Sequence, residues 1–590
     1  MRVPRTLRTR GSLLASAAAA LALAGGATAV AVGPLGDADR SADLAGQIDS
    51  SKPKNVILLI GDGTDEAIIT AARNYEKGAD GRFVMDDLPL TGDMTTHGLR
   101  TGTGPDYPFA YVSDSAPTAS AWSTGRKTVD GRISQGPSVS STTPGEDFET
   151  VLEQYRKQGK RTGNVTTSEI TDATPAAAAA HINLRECKGP ANMARCTAAQ
   201  KKNGGKGSIA EQLVDNKVDV LLGGARGSFT QATDAGPTVL DYAKSTHGYR
   251  DLATKTDLDA VTSLKDGPVL GLFANVNMTP QYKPLLAVAG GTGGDEGARC
   301  EAADRGTQPT LEQMTRKAID LLDQDNDKGF FLQVESAMVD KQEHAIDACG
   351  SIGDLAELDR SVKAALDYQA KHPDTLVIVT GDHSHSTQIV DGPTAGRQTV
   401  TLKTADGDPM YLAFSTGIGG SGHTGSQIRV AAKGPQAANV TGLIDQTDLY
   451  GTLLGRTPSK LPEGPTKTVT TPGPTTTVTG PTTTVPGPPA AVKLSAGLAV
   501  PRRLSNAAAR SGIPVSLVST KAGTARVTVT SRGRTVAAGT TKLRANDARS
   551  IKISGRRIAR NRSATLKVSV TVTAGKERTT RTATVSVSKR

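Results

Sequence analysis

Asn55-Val-Ile-Leu-Leu-Ile-Gly-Asp-Gly63 is an unbroken apolar run that stops at a carboxylate set between glycines. A strand with no polar alternation is buried on both faces, and such strands belong to parallel sheets. Val218-Asp-Val-Leu-Leu222, Gly329-Phe-Phe-Leu-Gln-Val334 and Thr375-Leu-Val-Ile-Val-Thr380 read alike, and a shorter strand is expected around residues 164–167. Helical patterns lie between them, for example over residues 310–322. Residues 52–455 are therefore expected to form an α/β domain, a central, mostly parallel sheet flanked by helices.

Outward from this domain the composition changes twice. Residues 456–490 hold 9 Pro and 12 Thr among 35 positions, in a near-repeat of seven residues, and read as an extended linker. Residues 491–590 alternate apolar and polar between Gly and Asn/Asp turn signals, as in Thr565-Leu-Lys-Val-Ser-Val-Thr-Val572. This pattern predicts a small all-β, sandwich-like domain. On the other side, residues 1–31 carry Arg2, Arg5, Arg8 and Arg10, a short apolar stretch and small residues at its end. They read as a secretory signal, followed by an N-terminal arm over 32–51. No later apolar run approaches the ~20 residues needed to cross a bilayer, so no transmembrane anchor is expected. The expected location is secreted or extracellular.

The charge is uneven. Residues 491–590 hold 22 Lys and Arg against two acids, a net +20, while the whole chain is only +11, so the rest sums to −9. A basic β domain is expected to hold an anionic cell-envelope polymer, which would make the protein cell-wall associated; a soluble basic spacer is the other reading. It has no Phe, Trp or Tyr, hence no platform for base stacking, and nucleic acid is not expected as a partner. The four cysteines, Cys187, Cys196, Cys300 and Cys349, fit an oxidising destination. Spacing leaves all three pairings open, and the lack of any C-x-x-C argues against a four-thiolate zinc site.

Chemistry-bearing residues follow the strands, where open parallel sheets bind ligands. They are Asp62, then Asp172 and Thr174, then Glu335, Asp340 and His344, then Asp382, His383 and His385, with His423 in a later turn. Mixed His and Asp ligands suit Zn²⁺. The oxygen-only Asp62, Thr174 and Glu335 suit Mg²⁺. Asp340 and His344 share a face if their segment is helical. Ser115 precedes Pro117 at an expected helix N-terminus, where a phosphate is favoured. It is read as a nucleophile that a metal activates, since no catalytic-triad or nucleophile-elbow pattern surrounds it; an ordinary N-cap serine is the alternative. Arg185 offers a planar fork for two phosphate oxygens.

These segments, with Asp114-Ser-Ala116, Asp172-Ala-Thr-Pro175, Asp340-Lys-Gln-Glu-His344 and His423-Thr-Gly-Ser-Gln427, resemble the secreted bacterial alkaline phosphatases of the zinc/magnesium type. The resemblance spans nearly all of residues 52–455. It implies two Zn²⁺ and one Mg²⁺ per chain. One zinc would be held by Asp340, His344 and His423, the other by Asp62, Asp382 and His383, and by Ser115 during turnover. Magnesium would be held by Asp62, Thr174 and Glu335, with Asp172 acting through water. Arg185 would clamp phosphate, Lys341 would reach it through water, and His385 would support the first zinc. The resemblance also implies the disulfides Cys187–Cys196 and Cys300–Cys349, a homodimer, and hydrolysis of small-molecule phosphate monoesters through a phosphoserine, releasing inorganic phosphate for scavenging. The alternatives are a phosphodiesterase of the same superfamily, which usually carries Thr as nucleophile, and a non-catalytic phosphate-binding envelope protein, which would lack ligands; here none is missing.

Overall fold

In the computed structural model, residues 40–456 are described except 394–395, 415 and 417–420, as are residues 494–588 except 495, 501–502, 512, 520, 545–548 and 555–562. The expected signal over 1–31, the first part of the arm and nearly all of the linker lie outside the described residues. The chain divides into two compact units, one carrying the α/β fold and one the C-terminal strands.

The α/β unit is built on a ten-stranded sheet. In chain order its strands are β1 (Asn55–Gly61), β2 (Leu90–Thr95), β3 (Arg161–Glu169), β4 (Val220–Gly224), β5 (Arg250–Leu252), β6 (Val269–Leu272), β7 (Phe330–Ser336), β8 (Thr375–Gly381), β9 (Ile428–Lys433) and β10 (Gly442–Asp445). Across the sheet they run β10-β2-β9-β8-β1-β7-β3-β4-β6-β5. Only β9 opposes its neighbours β8 and β2; every other pairing is parallel. The strand expected at residues 164–167 is longer, filling β3.

β1 occupies the centre for the reason its composition gives. Val56, Leu58 and Ile60 enter the core on one face, and Ile57 and Leu59 enter the core on the other, all fully buried. Each such side chain stabilises the fold by roughly 1.5–3 kcal/mol relative to exposure. Helices cover the sheet: α1 (Glu66–Lys77), α2 (Ser115–Thr124), α3 (Ala173–Ala177), α4 (Leu311–Asp323), α5 (Met338–His344) and the long α6 (Ala348–Gln369). α4 starts where expected, with Thr310 and Gln313 forming a capping box. Both disulfides that the resemblance implied, Cys187–Cys196 and Cys300–Cys349, are formed.

The C-terminal unit packs two sheets around its own core. One holds β11 (Ala496–Ala499), β13 (Ile513–Ser519) and β16 (Arg549–Ile553); the other holds β12 (Arg503–Ser505), β14 (Gly523–Ser531), β15 (Arg534–Leu543), β17 (Ala564–Ala574) and β18 (Glu577–Ser588). Val515, Leu517, Val527, Val529, Val568 and Val570 meet between them. One short helix, α7 (Asn506–Ser511), departs from the all-β expectation. Among the described residues no helix is long and apolar enough to cross a membrane.

Candidate active site

Four adjacent strands, β8, β1, β7 and β3, deliver the polar clusters to one edge of the sheet. Asp62 follows β1, Glu335 lies at the end of β7, Asp382 and His383 follow β8, and Asp172 caps α3 after β3. Asp340, Lys341 and His344 stand on α5, which follows β7 directly. The turn after β1 requires Gly63. Its φ is +67°, and a Cβ there would come 2.9 Å from the Asp340 side chain. That close approach lets the loops after β1 and β7 share one site.

Two groups of ligand-type side chains result: Asp340 with His344, His385 and His423, and Asp62 with Asp382 and His383. In the first, His344 Nε2 and His423 Nε2 face each other at 3.0 Å. They lie 3.4 and 3.2 Å from Asp340 Oδ1. Each ring's Nδ1 lies against a carbonyl, that of Ser421 at 3.1 Å and of Ser113 at 2.9 Å. A carbonyl only accepts, so each ring carries its proton on Nδ1 and aims an Nε2 lone pair at the shared point. Lone pairs that converge beside a carboxylate fit a divalent cation. His385 differs. Its Nδ1 accepts from the Ser386 N–H at 2.9 Å, which leaves the proton on Nε2, 3.5 Å from Asp340 Oδ1. A protonated nitrogen cannot ligate a metal, so in this arrangement His385 suits a place beside Asp340 rather than a ligand position.

In the second group, His383 Nε2 lies 3.4 Å from Asp62 Oδ1 and 3.3 Å from Asp382 Oδ2. Gly63 N–H donates to Asp382 Oδ1 at 2.8 Å. Ser115 Oγ is 3.3 Å from both Asp62 Oδ1 and His383 Nε2. Ser115 is not the N-cap of α2; that position belongs to Asp114, which accepts from Ala116 N–H. Ser115 is thus the first helical residue, its hydroxyl turned into the carboxylate group.

Beside these lies an oxygen-only set. Glu335 accepts from the hydroxyls of Thr166 and Ser168. Thr174 Oγ1 is buried without a well-formed hydrogen bond, though near enough to Glu335 to act on its ionisation. Asp172 accepts from Lys341 Nζ at 2.6 Å and from an Arg185 N–H at 2.9 Å, and Lys188 Nζ lies 3.4 Å away. The other Arg185 nitrogen donates to Asp114. Its fork is held between two carboxylates, near the start of α2.

The electrostatics match this grouping. Burial, then the carboxylates of Asp382, Asp340 and Glu335, push Asp62 well above the usual carboxyl range. Burial lifts Asp382 to about 6 and Glu335 to about 7. Asp172, despite burial, is held well below its ordinary value by Lys341, Arg185 and Lys188. Carboxyls raised in this way favour the fold below their unfolded pKa, and that contribution fades as pH rises through the folded value. For Asp382 and Glu335 the fading runs from their ordinary values of 3.8 and 4.5 to about 6 and about 7. Divalent cations offset the repulsion that then appears. The gain in melting temperature on adding Zn²⁺ and Mg²⁺ is therefore expected to grow from about pH 5 to about pH 8. Thermal scans at both pH values measure this, and a gain that shrinks with pH contradicts it.

A sequence model of the family described as alkaline phosphatase matches residues 53–414. The chain belongs to the alkaline phosphatase family. Its relatives include the alkaline phosphatase of Escherichia coli, 44% identical over 70% of this chain and 88% of the relative. The streptomycin-6-phosphate phosphatase of Streptomyces griseus is also 44% identical, over 68% of this chain and 89% of the relative. The structure of alkaline phosphatase from the Antarctic bacterium TAB5 shares the fold at a TM-score of 0.51 and 24% identity, covering 68% of this chain and 97% of that one. As an alkaline phosphatase the chain is a metal-dependent phosphomonoester hydrolase, with phosphate monoesters as substrates.

Every candidate site residue named from the sequence lies at this edge, apart from the disulfide cysteines. Others went unread. Asp114 caps α2, holds Arg185 and accepts from Gly131 N–H at 2.7 Å; its place just before Ser115 was a readable N-cap signal. Asp354, deep in α6, accepts from Thr167 Oγ1 at 3.1 Å, Ser336 Oγ at 2.6 Å and Met338 N–H at 3.0 Å. It braces the ends of β3 and β7 and the start of α5, and no local pattern marks it.

Proposed function

We propose that hydrolysis proceeds through a phosphoserine formed on Ser115, with two Zn²⁺ and one Mg²⁺ bound per chain. The observation that carries this is the Ser115 hydroxyl, 3.3 Å from Asp62 and from His383 on the first turn of α2. Asp340, His344 and His423 would hold one zinc; Asp62, Asp382 and His383 the other; Asp62, Thr174 and Glu335 the magnesium, with Asp172 contributing through water. Bound there, these ions supply Lewis-acid polarisation of phosphoryl oxygens and lower the pKa of the serine hydroxyl.

The chain's own groups do the rest. The N–H groups and dipole at the start of α2 favour the anionic phosphoryl group beside Ser115. Arg185, oriented by Asp114 and Asp172, presents its fork to two phosphoryl oxygens. Lys341, anchored on Asp172, reaches the same group through water. Ser115 Oγ attacks phosphorus; the Oγ–P bond forms, the ester P–O bond breaks, and the alcohol departs with a proton. Water then cleaves the Oγ–P bond, returning serine and inorganic phosphate. Recognition rests on the phosphoryl group, so broad monoester specificity and phosphate scavenging follow. Quenching turnover of a ³²P-labelled monoester in acid tests this. Covalent label on the peptide containing Ser115 is expected; label on another residue overturns the assignment.

The remaining proposals are a homodimer, export through a signal within 1–31, and retention on an anionic polymer of the cell envelope through residues 491–590. The last is supported by 22 basic residues against two acids in that segment.

A further inference from the structure

The outward face of the five-stranded sheet in the C-terminal unit has an unusual composition. Strand register aligns β18, β17, β14 and β15 in four outward rows, from Thr584-Lys567-Thr530-Thr535 to Arg578-Thr573-Thr524-Lys542. Of the sixteen side chains, eleven are Ser or Thr, four are Lys or Arg and one is Ala538. None is acidic or aromatic, and none is buried. The opposite face of the same strands carries the buried valines of the core, so this face has no packing duty inside the unit.

Lys567, Arg526 and Lys542 fall on a diagonal of that lattice. Strand spacing and rise separate them by about 14 and about 8 Å, with hydroxyls between. Adjacent hydroxyls are near enough to bond, as Thr571 and Thr580 do at 3.0 Å. The surface thus offers cations interleaved with short hydroxyl donors, all but Ser569 β-branched, that lose little side-chain entropy on ordering. Without an aromatic ring it has nothing on which a nucleobase could stack.

We infer that this face is the docking surface for a linear polyol-phosphate polymer, whose repeated phosphodiesters meet Lys567, Arg526, Lys542 and Arg578 while the hydroxyl rows donate to phosphate oxygens between them. The inference rests on the reading of residues 491–590 as a polymer-binding domain and names the surface and the occupant.

Fluorescently labelled poly(glycerol phosphate), titrated with the full-length protein, tests it by anisotropy at about 50 and about 200 mM NaCl. The native chain is expected to bind, more weakly at the higher salt. Replacing the four cations together (Lys567→Ala, Arg526→Ala, Lys542→Ala, Arg578→Ala) is expected to weaken binding at least about tenfold. Exchanging Lys for Arg and Arg for Lys at the same positions restores it. A charge-matched variant at turns and on the other sheet (Arg532→Ala, Arg544→Ala, Lys552→Ala, Lys576→Ala) should lose less than about threefold. Monoester hydrolysis should be unchanged throughout. Equal losses in the two alanine variants overturn the assigned face while leaving a polymer-binding domain intact. Failure of the native chain to bind at the lower salt overturns the domain reading itself. Tighter binding of polygalacturonate or single-stranded DNA of equal charge overturns the choice of occupant.

Discussion

Ser115→Ala is expected to lower phosphate monoester hydrolysis by at least about a thousandfold while leaving metal content unchanged. The substitution removes one buried hydroxyl and nothing that anchors α2. Asp114 still caps the helix, and the Asp62–His383 contact at 3.4 Å does not pass through Ser115. Arg185 keeps both its carboxylate partners. Phosphate should still bind, since the helix N-terminus and Arg185 remain, so inhibition by inorganic phosphate should persist in the residual activity. Steady-state kinetics with metal analysis of the same preparation measure all three quantities. Retained activity would remove Ser115 from the chemistry, and lost metal would make it structural.

Asp62→Ala should have a wider effect than Asp340→Ala. Asp62 belongs to the group with Asp382 and His383, and it feels Glu335 of the oxygen-only set as well. Removing its carboxylate should cost the chain both the second zinc and the magnesium, with hydrolysis falling by at least about a thousandfold. Asp340→Ala removes a carboxylate shared by His344, His385 and His423. It should cost one zinc and leave the other two ions in place. Metal analysis distinguishes the two patterns. Equal loss in both variants would contradict the separation of the Asp340 group from the second group and the oxygen-only set, which meet at Asp62.

The α/β fold was legible wherever burial on two faces left a mark in composition. β1, β7 and β8 are buried along their whole length, and their apolar runs said so. The convergence of Asp62, Glu335, Asp382 and His383 was legible because each sits at the end of such a strand. That these strands are neighbours is a matter of sheet order, which composition does not encode. Asp354 escaped because its partners Thr167, Ser336 and Met338 are brought to it only by packing of α6 on the sheet. The supporting place of His385 came only from the resemblance, because the Ser386 N–H that takes its Nδ1 leaves no mark in composition or spacing. The hydroxyl lattice of the C-terminal unit was hidden for another reason. Its rows draw one residue from each of four strands, and only the register shows that all of them share a face.

Whether scattered Asp, His, Glu and Thr side chains gather three cations around Ser115 is decided by the metal content of the native full-length chain, measured alongside monoester hydrolysis before and after chelation. Two zinc and one magnesium per chain are expected, with activity abolished by chelator and recovered when zinc and magnesium are returned together. Full hydrolysis by a chain stripped of divalent ions would contradict this expectation.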